Sequence, residues 1–114
     1  MANSQAMCTS FKGEILAGIH ALGTTVIRAG TGADTLKAAL YLASATVNAA
    51  TTAYSATGEV SGSGYSAGGV TVTNATAPTT SGTTGYWTPS ASFTYTTVTL
   101  TTAFDAVLVY NSTQ

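Results

Sequence analysis

The chain has very little charge. Only 6% of its 114 residues are charged, with three basic and four acidic side chains and a formal net charge of -1, against about 25% charged residues in ordinary globular domains. A nucleic-acid binder neutralises phosphates with a basic stripe, and Lys12, Arg28 and Lys37 cannot form one. Cys8 is the only cysteine, so no intrachain disulfide framework exists. His20 is the only histidine. No carboxylate or thiol stands at a metal-ligand interval from it, Glu14 being six residues away, so neither a metal nor a cofactor is expected. No apolar run reaches the ~18 residues of a membrane span, and no basic segment followed by an apolar stretch opens the chain. No membrane partner and no common secretion route are expected.

What remains points to β structure. From Ala38 to Gln114 the only charged residues are Glu59 and Asp105, while Thr, Val, Tyr and Phe alternate along much of the same span. Disordered segments are typically charged and poor in β-branched and aromatic residues, whereas mean hydropathy here is +0.28. Turn signals recur every ~8 to 12 residues, the spacing of an all-β sandwich or barrel. Ser10 can cap a helix whose apolar positions Phe11, Ile15, Ile19 and Leu22 trace one face, with Gly23 ending it. A β reading of that segment stays open. Gly13 and Gly18 each cost such a helix about 1 kcal/mol relative to Ala, so it needs docking.

These features define the expected architecture. It is a small antiparallel β-sandwich of jelly-roll-like kind, with an extended arm at residues 1–9 and a single β-rich domain at 10–114. The helix is placed at about 10–22 and the strands within about 35–110. In the first strand Leu36, Ala38, Leu40 and Leu42 alternate with Lys37, Ala39 and Tyr41, which predicts one buried face. Asn48 to Ala53 reads as one helical turn, Asn74 to Gly82 as a turn region, and Ser92 to Thr96 as a strand. Ala106 to Val109 is apolar on both faces, which predicts a central strand or one covered by another subunit.

The chain is organised around Thr57-Gly-Glu-Val-Ser-Gly-Ser-Gly-Tyr-Ser-Ala-Gly-Gly69, which carries five of the twelve glycines. Gly62, Gly64, Gly68 and Gly69 are expected to take positive φ and to fix Tyr65 between two reversals, with Tyr65 buried as a plug. Glu59 and Asp105, the only acids of the β half, invite a glycosidase pair, but so short a chain has little room for the sugar-binding cleft it needs, and Glu59 is expected to pair with backbone or with a neighbouring subunit. Gly30 and Gly32 lack the Lys-Thr that would complete a phosphate loop. Aromatic rings bury area at low entropy cost, so Tyr65, Tyr86 and Trp87, with Phe11, Ile15, Ile19, Val107 and Val109, are the candidate interface residues.

Three elements in order, Leu36 to Tyr54 with its Leu40-Tyr-Leu-Ala-Ser44, the Gly-rich Thr57 to Gly69, and Ala106-Val-Leu-Val-Tyr-Asn111, resemble a family of small virion proteins of tailed bacteriophages. The resemblance runs over most of the chain. It implies a non-enzymatic structural protein made in the host cytoplasm and carried in the virion, with a capsid decoration or cement role. Implied partners are copies of the chain itself, as a trimer, and other virion proteins such as the major capsid protein. It also implies one more strand pair beyond Tyr110-Asn111. The alternative is a receptor- or glycan-binding module of a tail or head fibre, using Tyr65, Tyr86 and Trp87 as a stacking platform.

Overall fold

A computed structural model describes residues 6–20, 22–23 and 32–113 of the chain. Residues 1–5 of the expected arm, together with Arg28 and Gly30, lie outside them. Among the described residues one short helix, α1 (Thr9–Leu16), precedes seven strands: β1 (Leu36–Tyr41), β2 (Gly62–Ser63), β3 (Val70–Val72), β4 (Thr79–Ser81), β5 (Thr84–Tyr86), β6 (Thr99–Leu100) and β7 (Ala106–Asn111). All strand pairs are antiparallel. They form a three-stranded sheet of order β3-β1-β7 and two ribbons, β2-β6 and β4-β5.

β1 is the central strand and carries most of the core. Ala38, Ala39, Leu40 and Tyr41 are all buried, joined by Val60 and Val72. The alternation in the sequence predicts one buried face, yet neighbours on a strand point to opposite sides, so burial of four consecutive residues means both faces are covered. Alanine at two of these positions allows close approach from either side. Of the two alternatives for β7, the central position does not hold: among the described residues it lies at the edge of the sheet, paired on one side with β1 from Leu36↔Asn111 to Tyr41↔Ala106, and cover by another subunit stays open.

α1 is shorter than the periodicity implies. Cys8, not Ser10, is its N-cap, without a side-chain capping bond, and Ala17 is its C-cap. The following Gly18 takes φ +71, which turns the chain out of the helix before Gly23. Ile19 and Leu22 therefore fall beyond the helix, 67% and 73% exposed. The packing contact is made by glycine, not by the apolar stripe: Gly13 is buried, and a Cβ on Gly85 of β5 would lie 2.9 Å from the Gly13 nitrogen. Lys12 Nζ donates to the Thr83 carbonyl at 2.7 Å beside this contact.

Three other expectations are corrected. The region 74–82 contains β4, which pairs with β5 through a tight reversal at Gly82 and Thr83. Ser92 to Thr96 is not a strand. Asn48 to Ala53 keeps only a single closed turn, Thr51 N–H donating to the Asn48 carbonyl at 2.9 Å, and no helix follows; Asn48 Oδ1 accepts from Ala50 N–H at 2.8 Å, an Asx turn that competes with helix.

Candidate functional site

The Gly-rich connection converges on one carboxylate. Glu59 follows Gly58 and is bridged to the end of β1 at Tyr41. Its Oε1 accepts from the Tyr65 hydroxyl at 2.6 Å and from Gly68 N–H at 2.8 Å, and its Oε2 accepts from the Tyr54 hydroxyl at 2.6 Å. The expectation that Glu59 pairs with backbone holds, and two phenols join it. A second layer of rings supports these donors. Tyr54 stacks on Tyr110 with centroids 4.8 Å apart, and Tyr65 on Tyr95 at 6.0 Å. Tyr110 in turn donates to the Gly68 carbonyl at 3.0 Å.

This cluster closes one edge of the sheet. β3 pairs with β1 only from Leu36 to Ala38, leaving the rest of that edge without a strand among the described residues. Tyrosine side chains take its place: the Tyr95 hydroxyl donates to the Ala38 carbonyl, and Leu40 N–H donates to the Tyr65 hydroxyl at 3.0 Å. Val60 N–H then reaches the Leu40 carbonyl at 3.0 Å. Buried backbone groups need partners, and here phenols supply what a strand ladder would. Tyr65 is half-buried, its hydroxyl accepting from Leu40 and donating to Glu59. Positive φ occurs at Gly58, Gly64, Gly68 and Gly69 but not at Gly62. Gly62 is needed for another reason, since a Cβ there would lie 2.1 Å from the Thr99 carbonyl oxygen across the β2-β6 ribbon.

The two phenols that touch Glu59 hold their protons more tightly than free tyrosine. Tyr54 is pushed up to about 12 from 10.0, first by its hydrogen bond to Glu59 and then by burial. Tyr65 is also raised, first by burial and then by the bond to Glu59. A group whose pKa is raised on folding contributes stability below its unfolded value and loses it as pH climbs through the folded one. The contribution of these phenols is therefore expected to be intact up to pH 10.0, with that of Tyr54 lost between there and about 12. Urea unfolding midpoints across this range check it, and Tyr54→Phe should make the fall shallower.

The other candidate residues are dispersed. Ile15, 41% exposed, and Ile19 lie on the α1 side with Leu16, 51% exposed. Phe11 is half-buried, its ring 4.7 Å from that of His20. His20, read as lacking a carboxylate, is brought back by the turn at Gly18 so that its Nε2 meets Glu14 Oε2 at 2.5 Å. Trp87 donates from Nε1 to the Thr76 carbonyl at 2.8 Å and lines a groove of about 500 Å³ with Leu16, Leu36, Asn74 and Pro78. Tyr86 is exposed on β5, and Val107 and Val109 are exposed on β7, 45% and 51%. Tyr65 is engaged in the Glu59 cluster.

Among the described residues no group of three or more His, Cys, Asp or Glu side chains could hold a metal, and no helix is long and apolar enough to cross a membrane. Sequence reasoning excludes a hydrolase on the ground that the chain has no G-x-S-x-G pattern, which is wrong: Gly64-Tyr-Ser-Ala-Gly68 spells it. Its nucleophile-elbow form requires a strand feeding a helix, whereas here it connects β2 to β3 and Ser66 lies exposed in the connection. Comparison of the chain with protein-family models, curated proteins and solved structures finds no match in any of the three.

Proposed function

We propose that the protein is a non-enzymatic structural component of a tailed-phage particle, a capsid decoration or cement protein that stabilises the head through contacts with copies of itself and with the major capsid protein. The observation that carries this reading is the surface. Isolated exposed apolar residues are ordinary, but here Ile15, Leu16, Ile19 and Leu22 are exposed on one segment and Val107 and Val109 on another. The charge that would keep copies apart is scarce. The resemblance of three ordered sequence elements to phage virion proteins supplies the setting. In this reading the three-stranded sheet and the two ribbons are a reduced jelly-roll-like sandwich, supported by the antiparallel pairing of every strand.

Particle reconstruction tests the proposal directly. Density for the chain on the capsid lattice is expected; density confined to a tail or head fibre, together with glycan-array binding by the isolated protein, would replace it with the receptor-binding alternative. The helical segment supplies a second test. Deleting residues 1–22 is expected to abolish incorporation into particles while leaving most of the β signal in circular dichroism, because none of the strands lies in that span. Incorporation at the full-length level would count against a docking role for Ile15 and Ile19.

A further inference from the structure

The sheet has two edges, and they are treated differently. On the β3 side the strand is three residues long, Ser90 N–H reaches the Thr73 carbonyl at 3.2 Å, and Tyr65, Tyr95 and Val60 occupy the remainder of β1. On the β7 side, among the described residues, no strand pairs with the outer edge of six residues. Ser112 N–H donates to the Thr35 carbonyl at 2.9 Å, which sets the phase of the ladder. With Leu108 opposite Ala39 and Tyr110 opposite Lys37, Leu108 and Tyr110 exchange bonds with β1, and Val107, Val109 and Asn111 turn their N–H and C=O groups outward.

Open edges are normally blunted by lysine, proline, a bulge or shortness. Ala106 to Asn111 contains no charge and no proline, and its side chains at 107 and 109 are exposed valines. We propose that β7 pairs antiparallel with β7 of a second copy about a two-fold axis at Val109, joining two three-stranded sheets into one of six strands. The inference deepens the proposed assembly role and rests on it. A second copy fits because the strip is self-compatible. Val109 meets Val109 of the second copy, and Val107 meets Asn111, with no like charges opposed. All three outward residues find backbone partners. On the opposite face the same register sets Leu108 of the second copy beside Tyr110, at a groove of about 790 Å³ lined by Thr52, Tyr54, Leu108 and Ser112. The pairing is two-fold, in place of the three-fold arrangement that the family resemblance implies.

Cysteine cross-linking in a Cys8→Ser background tests the register. Directly opposed residues in a hydrogen-bonded antiparallel pair have Cα atoms about 5.5 Å apart, within disulfide reach. Val109→Cys is expected to give a disulfide-linked dimer under mild oxidation, and Val107→Cys at least ten-fold less. Val109→Lys, at an exposed side chain, places two ammonium groups face to face and is expected to halve the mass in light scattering with the circular dichroism spectrum unchanged. An oligomer in which Val109→Cys does not cross-link, or a Val109→Lys variant that keeps the wild-type mass, overturns the pairing but leaves assembly by another surface standing. A wild-type monomer at high micromolar concentration overturns both.

Discussion

Replacing Gly69 with alanine is expected to be the most damaging single change in this chain, lowering stability by about 4 kcal/mol or more and abolishing folding if total stability lies near the lower end of the usual range. Two causes act together. Gly69 has φ +75, where a Cβ costs about 1–2 kcal/mol, and that Cβ would lie 1.6 Å from the Ala38 carbonyl oxygen and 2.8 Å from the Ala39 Cα. Neither neighbour can yield, because Ala38 and Ala39 are fully buried in the central strand. Gly82→Ala isolates the backbone component: its φ is +56, but nothing stands within 4 Å of the added methyl, so a loss of about 1–2 kcal/mol is expected. Urea denaturation of the two variants beside wild type measures the difference. Equal losses would mean that the approach of Gly69 to β1 is not a constraint on folding.

Glu59→Ala is expected to cost about 3–4 kcal/mol. A hydrogen bond to a charged group contributes roughly 1.5–3 kcal/mol, and removing the acceptor leaves Gly68 N–H and two phenols without it. The damage should spread, since Tyr65 also receives the Leu40 N–H that no strand partner takes. Glu59→Gln separates charge from geometry. Its amide oxygen can still accept from Tyr65 and Gly68, while the amide nitrogen replaces the oxygen that faces Tyr54, so a loss of about 1–2 kcal/mol is expected. The alkaline fall in stability should also become shallower and end nearer pH 10.0, because the carboxylate is the first cause of the raised Tyr54 pKa. A Glu59→Ala variant that melts with wild type would remove Glu59 from the centre of the fold and leave the stacked rings as its main support.

The gross character of the chain was legible in its residues: a first strand beginning at Leu36, an apolar strand at Ala106, and a glycine-rich connection whose Gly64, Gly68 and Gly69 do take positive φ. These are local properties, carried by β-branched and aromatic runs and by residues whose backbone preferences differ from the rest. Tertiary structure alone decided which strand is central. Ala38 and Ala39 carry almost no hydropathy contrast, so the pattern of β1 cannot reveal that both its faces are covered, while the strongly apolar β7 signals cover without saying whether its own sheet or another subunit supplies it, and within the chain it lies at the edge. It also decided that α1 docks through Gly13 and not through its apolar stripe, because the fit depends on the missing Cβ of Gly85, far along the chain. Above all it made Glu59 the hub. Tyr54, Tyr65 and Gly68 lie close to it in sequence, but Ala38 and Leu40 meet their phenol partners across 57 and 25 residues. A hydroxyl standing in for a missing strand leaves no periodic trace, since it satisfies a backbone group through the end of a side chain and not through a neighbouring ladder.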